Sequence, residues 1–374
     1  MPAETVALRI GDTRIPYLIG GVDAFLAAAK DLHADKWIVV ASEQPTLRRY
    51  AQDLAEALST IAPSSVITLG DGERFKSIAT VERLCEKAVE AGATRSSVMV
   101  TVGGGNACNI GGLCASLLFR GIRLVQVPTT LMAMSDVVLS LKQGVNLTGM
   151  KNMLGTYHVA ELIWADPQVL TTLPPQEVRA GLAEIIKNSL VLTPHHVDVL
   201  LATLNPAAEY TAGQLEKFLE MAIESKSLVL QHDPRERGRA LVLEYGHTVG
   251  HALEALSSNR ITHGFGVGLG MRVAARVSHR LGHLDEQSVA MHDRLLRRAG
   301  LPLGIPTYED EFMTADRLRG KLICDNKRGY IGSADDQVAM VLLNRLGVPV
   351  TTAGVPLAVA PADMVVETAC ELLS

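Results

Sequence analysis

At 374 residues the chain exceeds one ordinary core, so two packed domains are expected, and 48% hydrophobic with 20% charged residues describes a folded globular protein rather than a disordered one. A net charge of −5 with scattered basic residues excludes an electrostatic nucleic-acid binder. The apolar runs are broken by Gly, Pro or charge well short of a membrane span, and the segment after Met1, PAETVALRIGD, lacks the basic and apolar blocks of a signal peptide. Five cysteines (Cys85, Cys108, Cys114, Cys324, Cys370) form no CxxC pair and leave an odd count, which reads as reduced thiols in a cytoplasmic protein.

In chain order, Trp37–Ser42, Ser65–Gly70, Ser97–Val102 and Arg123–Val127 are short apolar runs of strand length. Amphipathic stretches near 44–61, 77–92 and 109–119 separate them at helical spacing. That alternation predicts an α/β domain with a parallel sheet, whose ligands bind at the carboxyl ends of the strands. Turns rich in glycine or polar residues stand at those ends: Gly70-Asp71-Gly72-Glu73, Gly103-Gly104-Gly105 and Pro128-Thr129-Thr130. From about residue 175 the pattern becomes helical, over 176–193, 213–231, 244–257, 264–282 and 286–299, before Pro302 and Pro306 interrupt. The expected organisation is an α/β domain over 1–172 and a mostly α-helical one over 173–374, with a cleft between them.

Three constellations carry chemistry. Gly103-Gly104-Gly105 lies between a strand and a helix, where glycines let backbone N–H groups approach a pyrophosphate at a positive helix N-terminus. It is not the GxGxxG fingerprint, but Asp71-Gly-Glu73-Arg-Phe-Lys76 and Thr129-Thr130 add polar groups at two further strand ends. The second is Glu184 with His247, His251 and His263. Glu184, Lys187 and Asn188 share one helix face, His247 and His251 lie one turn apart, and His263 starts the next helix. Two histidines and a carboxylate suit a catalytic Zn²⁺ or Co²⁺, and spacing alone pairs His247 with His251. The third is a set of cations, namely Lys76, Arg120, Lys142, Lys151, Lys187, Lys226, Lys327 and Arg328. Convergence of several on one cleft would bind a phosphorylated, anionic small molecule.

Taken in order, these segments resemble the dehydroquinate synthase superfamily of sugar-phosphate cyclases over nearly the whole chain. Further carriers of the likeness are Phe119-Arg120-Gly121, Lys151-Asn152-Met-Leu-Gly155, Ala180-Gly-Leu-Ala-Glu184, Gly246-His247-Thr-Val-Gly-His251, His263-Gly264 and Asp325-Asn-Lys327. The resemblance implies a Rossmann-like N-terminal domain, NAD, a divalent metal, a sugar-phosphate substrate and a homodimer. It makes Glu184, His247 and His263 the metal ligands and turns His251 towards substrate. It gives NAD to Asp71, Glu73, Lys76, Gly104, Gly105, Asn109, Thr129, Thr130, Lys142 and Lys151. Substrate falls to Arg120, Asp136, Lys151, Asn152, Lys187, Lys226 and Lys327, and proton transfer to Lys142, Glu244 and His251.

Dehydroquinate-forming members usually have Asp at Asn109, Asn at Glu244, and at Ala240 an Arg for the substrate carboxylate. A carboxylate here would lose a bidentate partner and face an anion, which points to a substrate without one, such as D-glucose 6-phosphate. The nearest alternative is another cyclase of the superfamily, making dehydroquinate or acting on sedoheptulose 7-phosphate, and an NAD-dependent metal alcohol dehydrogenase is the alternative enzyme class. Two positions depart from the family pattern. Cys108 stands where Gly is usual, beside an unusual Asn106-Ala107, which would crowd the pyrophosphate loop. Phe265 replaces a Glu that would stand beside the metal.

Overall fold

Four parallel strands buried on both faces organise the first half of the computed structural model, which describes residues 4–373 apart from 149, 259, 306–312, 324–326, 328 and 333. Cys324, Asp325, Asn326 and Arg328 therefore lie outside the described residues. The chain divides into two compact units, one running to Leu173 and including Leu215–Ile223, the other comprising Pro174–Gln214 and Glu224 onwards.

The first unit opens with an antiparallel hairpin, β1 (Glu4–Ile10) and β2 (Thr13–Ile19), and helix α1 (Val22–Lys30). Then come β3 (Trp37–Ser42), α2 (Pro45–Ser59), β4 (Ser64–Leu69), α3 (Ile78–Glu90), β5 (Val98–Gly103), α4 (Gly105–Leu117), β6 (Arg123–Pro128) and the short α5 (Leu131–Ser135). A second hairpin, β7 (Lys142–Leu147) with β8 (Met150–Tyr157), precedes β9 (Leu162–Ala165). The main sheet has the order β1-β2-β9-β6-β5-β3-β4. Every residue of β3 and β5 is buried, as Val-rich runs covered by helices on both faces require. Phe25 stacks on Trp164 at 4.4 Å within that core. Local signals set the helix starts: Pro45 occupies the first turn of α2, and Ser77 Oγ accepts the Thr80 N–H at the start of α3.

The second unit holds α6 (Pro175–Val191), α7 (Val197–Thr203), α8 (Ala212–Leu230, whose middle belongs to the first unit), α9 (His247–Leu256), α10 (His263–Arg280), α11 (Glu286–Arg298), α12 (Ala315–Ile323) and α13 (Ala362–Leu373). Small strands β10 (Gln337–Met340), β11 (Leu343–Arg345), β12 (Val348–Pro349) and β13 (Ala358–Pro361) pair as β10-β13 and β11-β12. The helix expected from residue 244 starts at His247, because Gly246 (φ +79°) interrupts it and Arg239–Glu244 forms a 3₁₀ turn. The helix expected from 109 starts at Gly105, directly behind the glycine triplet. The four described cysteines are free thiols.

Glycines bring α6, α9 and α10 to backbone contact. A Cβ on Gly270 would lie 1.9 Å from the Gly246 carbonyl oxygen, one on Gly264 would lie 2.2 Å from that of Ala180, and one on Gly250 would lie 2.9 Å from that of Gly266. We expect Gly270→Ala to cost at least about 2 kcal/mol, since backbone cannot yield as a side-chain tip can. Urea unfolding with an unchanged midpoint would contradict this.

Helices α10 and α11 are fastened by Asp293, which accepts hydrogen bonds from Arg272 Nε (2.6 Å) and Arg276 Nη2 (2.6 Å). Partial burial pushes its carboxyl up, but the two guanidinium groups outweigh that and hold it at about 2. A depressed folded pKa contributes stability above the unfolded carboxyl value near 4, lost as pH falls towards 2. Asp293→Asn is expected to cost about 1–2 kcal/mol at neutral pH, with the gap from wild type narrowing below about pH 4 in urea titrations.

Candidate active site

In the first unit the chain steps from β3 outwards to β4 on one side and to β5, β6 and β9 on the other. The crevice at the carboxyl ends of β3 and β5 is thus the topological switch point, where such sheets bind nucleotides. Gly104 and Gly105 stand there at the N-terminus of α4, a helix of 13 residues. A Cβ on Gly104 would come within 3.3 Å of Thr130 Cγ2, and one on Gly105 within 3.1 Å of Val137 Cγ2, so side chains would fill this cradle. The Thr129 N–H donates to the Gly103 carbonyl, and Thr130 Oγ1 caps α5 through the Ala133 N–H. Asn109 is half-buried one turn into α4. Asp71, beyond β4, accepts from Ser42 Oγ (3.1 Å) and Gln44 Nε2 (2.8 Å), which fixes its carboxylate at the edge of the crevice. These groups fit a dinucleotide pyrophosphate with backbone donors at its centre. Cys108 does not crowd the loop: it is fully buried, with its thiol directed at the Gly103 carbonyl oxygen.

A polar chain ties this edge to the β7–β8 hairpin. Asn146 Nδ2 donates to Glu73 (2.7 Å), Asn146 Oδ1 accepts from the Asn152 N–H (2.8 Å), and buried Lys76 donates to Asn152 Oδ1 (2.6 Å). Burial lowers the Lys76 pKa. Glu73 is held below the usual carboxylate range: burial opposes this, but the Asn146 hydrogen bond and the charge of Lys76 prevail. Asn152 adopts φ +55°, a left-handed conformation that Asn tolerates. Lys142 and Lys151 are exposed on the same hairpin, and Asp136 is half-buried after α5. Arg120 stands apart. Helix α4 runs from the carboxyl edge of the sheet back to the amino edge, so Arg120 emerges exposed before β6, roughly 20 Å of helix away from Gly105.

The second unit assembles the histidine cluster. Glu184 on α6 is wholly buried, with Oε1 3.6 Å from His247 Nε2 and 3.4 Å from His263 Nε2. Buried Lys187, one turn on, pairs with Oε2. Oε1 has no hydrogen-bond donor in good geometry, only these two imidazole nitrogens, an expensive state for a buried carboxylate oxygen unless a cation sits among them. His247 Nδ1 is engaged by the Tyr245 carbonyl (3.1 Å) and His263 Nδ1 by Glu254 Oε1 (2.9 Å). Each Nε2 is thereby turned to Glu184. One ligand atom from each of Glu184, His247 and His263 lies within 4.8 Å of the others, which fits a divalent cation with positions left open.

The alternative grouping of His251, Glu254 and His263 also clusters, but there Glu254 already engages the far nitrogen of His263. The His251 ring is 5.1 Å from that of His247, beside the cluster. Burial lowers the His247 pKa to about 3, aided by Lys187. His263 goes the other way: burial opposes protonation, but Glu184 and Glu254 raise it to about 10, so this spot favours positive charge. Glu184 is held well below the carboxylate range, burial being overridden by Lys187 and the two imidazoles.

Glu254 is the site residue that sequence reasoning missed. Position 265 is Phe, and the carboxylate that fixes the His263 ring comes from α9, one turn beyond His251. A Glu seven residues after His247 was visible in the sequence, but no motif marked it. Nearby, Glu244 Oε2 lies 3.2 Å from the Nζ of buried Lys327, on the 3₁₀ turn that also buries Ala240. Lys226 is likewise buried on α8.

Comparison with known proteins places these features. The 3-dehydroquinate synthase N-terminal model matches residues 66–180 and its C-terminal counterpart residues 181–328. The chain belongs to the dehydroquinate synthase superfamily. It is 42% identical to a 2-deoxy-scyllo-inosose synthase of Streptoalloteichus tenebrarius, spanning 99% of this chain and 95% of that protein. Identity to the Micromonospora echinospora enzyme of that name is also 42%, over 98% and 92%. A crystal structure of 2-deoxy-scyllo-inosose synthase with carbaglucose-6-phosphate, NAD⁺ and Co²⁺ superposes with TM-score 0.91 at 34% identity, covering 99% of this chain and all of that one. A 2-epi-5-epi-valiolone synthase from Streptomyces hygroscopicus, holding NAD⁺ and Zn²⁺, gives 0.79 at 26%, with 97% of each chain covered. Glycerol dehydrogenase from Schizosaccharomyces pombe, at 15% identity and TM-score 0.62, shares the fold.

Carboxylate partners of metal-bound histidines commonly carry about 10–100-fold in metal affinity. Glu254→Gln is expected to weaken Co²⁺ or Zn²⁺ binding by that factor while leaving the circular dichroism spectrum unchanged. Equal metal retention after equilibrium dialysis would remove Glu254 from the site.

Proposed function

We propose that this chain is a 2-deoxy-scyllo-inosose synthase, converting D-glucose 6-phosphate into a deoxy-cyclitol ketone and inorganic phosphate for aminoglycoside antibiotic biosynthesis. The observation that carries the reading is Glu244 paired with Lys327 on the turn where Ala240 is buried. A substrate carboxylate would find an anion there and at position 240 an alanine with no guanidinium, whereas a neutral sugar hydroxyl finds a proton acceptor. The 42% identity to enzymes of that name supports it.

In this reading Glu184, His247 and His263 hold Zn²⁺ or Co²⁺. Asp71, Glu73, Lys76, Gly104, Gly105, Asn109, Thr129 and Thr130 hold NAD, with Lys142 and Lys151 beside them. When bound, NAD supplies a hydride acceptor that later returns the hydride, and the metal supplies a Lewis acid for substrate hydroxyls. The chain's own residues do the rest. Lys151, Asn152, His251 and Lys327 bind the phosphate that departs from C6. Glu244, its carboxylate beside the Lys327 ammonium, takes and returns a hydroxyl proton, and Lys142 serves as the second proton carrier. Lys187 and Lys226 add positive charge for an anionic substrate. The net reaction is a redox-neutral phosphate elimination with ring closure, a carbon–oxygen lyase step, and we assign the enzyme as a homodimer on its family resemblance.

The test supplies NAD⁺ and Co²⁺ or Zn²⁺ with glucose 6-phosphate, sedoheptulose 7-phosphate or the dehydroquinate precursor, and reads phosphate release, product mass and net NADH. Phosphate release from glucose 6-phosphate without net NADH is expected, with kcat reduced about 10²–10⁴-fold in Glu244→Gln. Turnover of a heptulose phosphate instead would overturn the substrate assignment, and stoichiometric NADH would indicate a dehydrogenase.

A further inference from the structure

We propose that His195, His196 and Glu224 form a second, peripheral site for a divalent transition cation such as Zn²⁺ or Co²⁺, separate from the cluster at Glu184. Two imidazoles face the two oxygens of a single carboxylate: His195 Nε2 lies 3.1 Å from Glu224 Oε1, and His196 Nε2 lies 3.1 Å from Oε2. The rings meet edge to face with centroids 4.2 Å apart, and one ligand atom from each of the three residues falls within 4.8 Å of the others. The donor set repeats that of Glu184, His247 and His263. Imidazole with carboxylate selects borderline d-block ions over Mg²⁺ or Ca²⁺, which prefer oxygen ligands throughout.

The arrangement is held in place from behind. The histidines lie on the 3₁₀ turn Pro194–His196, which the His196 N–H closes onto the Thr193 carbonyl (2.9 Å). Glu224 is on α8, and the two elements are fastened by the buried hydroxyls of Thr193 and Ser225, 2.7 Å apart, flanking the three donors in sequence. On the far side Gly347 packs so closely that an added Cβ would sit 2.9 Å from Pro194 Cδ. The turn cannot swing away without breaking these contacts, so little ordering remains to oppose binding. His196 is mostly buried while His195 and Glu224 are exposed, which leaves a cation an open approach. The site is independent of the assignment of substrate.

The test uses the full chain, stripped with chelator and dialysed against Zn²⁺, with metal counted per chain by mass spectrometry. Two equivalents are expected in wild type, and one each in His195→Ala, Glu224→Gln and Glu184→Ala. The first two substitutions are on the surface, so their fold, checked by thermal melting, and their cyclase activity should match wild type. A Co²⁺ titration read by visible absorption gives a second count on the unmodified chain. Retention of both equivalents in His195→Ala and Glu224→Gln, or a single wild-type equivalent that Glu184→Ala removes, would overturn the proposal.

Discussion

A carboxylate with no exposed surface, Glu184, is the constraint from which the helical unit follows. An unpaired charge at such depth costs several kcal/mol, so the chain must bring compensating groups to it. Lys187 arrives on the same helix. His247 and His263 must come from α9 and α10, and imidazole side chains are short. Their approach is possible because Gly246, Gly250, Gly264, Gly266 and Gly270 allow three helices to touch backbone to backbone. Packing and site are therefore one feature, and a methyl group on these glycines acts on both.

The α/β unit solves a different problem, how to expose backbone donors without losing rigidity. Its central strands are fully buried, so the loops at their carboxyl ends are anchored on both sides. The Glu73, Asn146, Asn152 and Lys76 chain extends that anchoring to a hairpin with hardly any core of its own, since nearly every residue of β8 is exposed. This places Lys142 and Lys151 on a scaffold held by polar bonds together with the buried Val145 of β7.

How much of this the sequence disclosed follows from which forces act locally. Runs such as Trp37–Ser42 and Ser97–Val102 were legible because buried parallel strands are apolar throughout. The amphipathic stretches near 44–61 and 176–193 fall on α2 and α6, since helical spacing is a local pattern. The β1–β2 hairpin was not read, since its alternation is weak and Pro16 lies within it. Strand β8 was not read, because a solvated strand has no burial pattern to show. At the site, spacing linked His247 to His251, for one helical turn is a local relation. That His263 rather than His251 faces Glu184 depends on where α10 crosses α6, and so does the pairing of Glu254 with His263. Both are tertiary facts, and only the family resemblance anticipated the first. Arg120 shows the converse: residue type and motif marked it for substrate, yet the length of α4 carries it to the other edge of its sheet.

Lys187 at first looks misplaced, since an ammonium beside a metal site repels the metal. Its effect on His247 resolves this. With burial, the Lys187 charge lowers that imidazole to about 3 and keeps it neutral, the only form with a lone pair to give. Lys187 also takes Oε2 of Glu184 and leaves Oε1 facing the two imidazoles. Glu184, Glu254 and Lys187 together carry a net charge of −1 when both histidines are neutral. A metal displaces the proton that His263 otherwise carries, and its charge of +2 then leaves the group at +1. A loaded site of that sign holds the metal and still attracts a phosphorylated sugar. Without Lys187 the residues alone would carry one more negative charge, and the bound metal would leave them merely neutral.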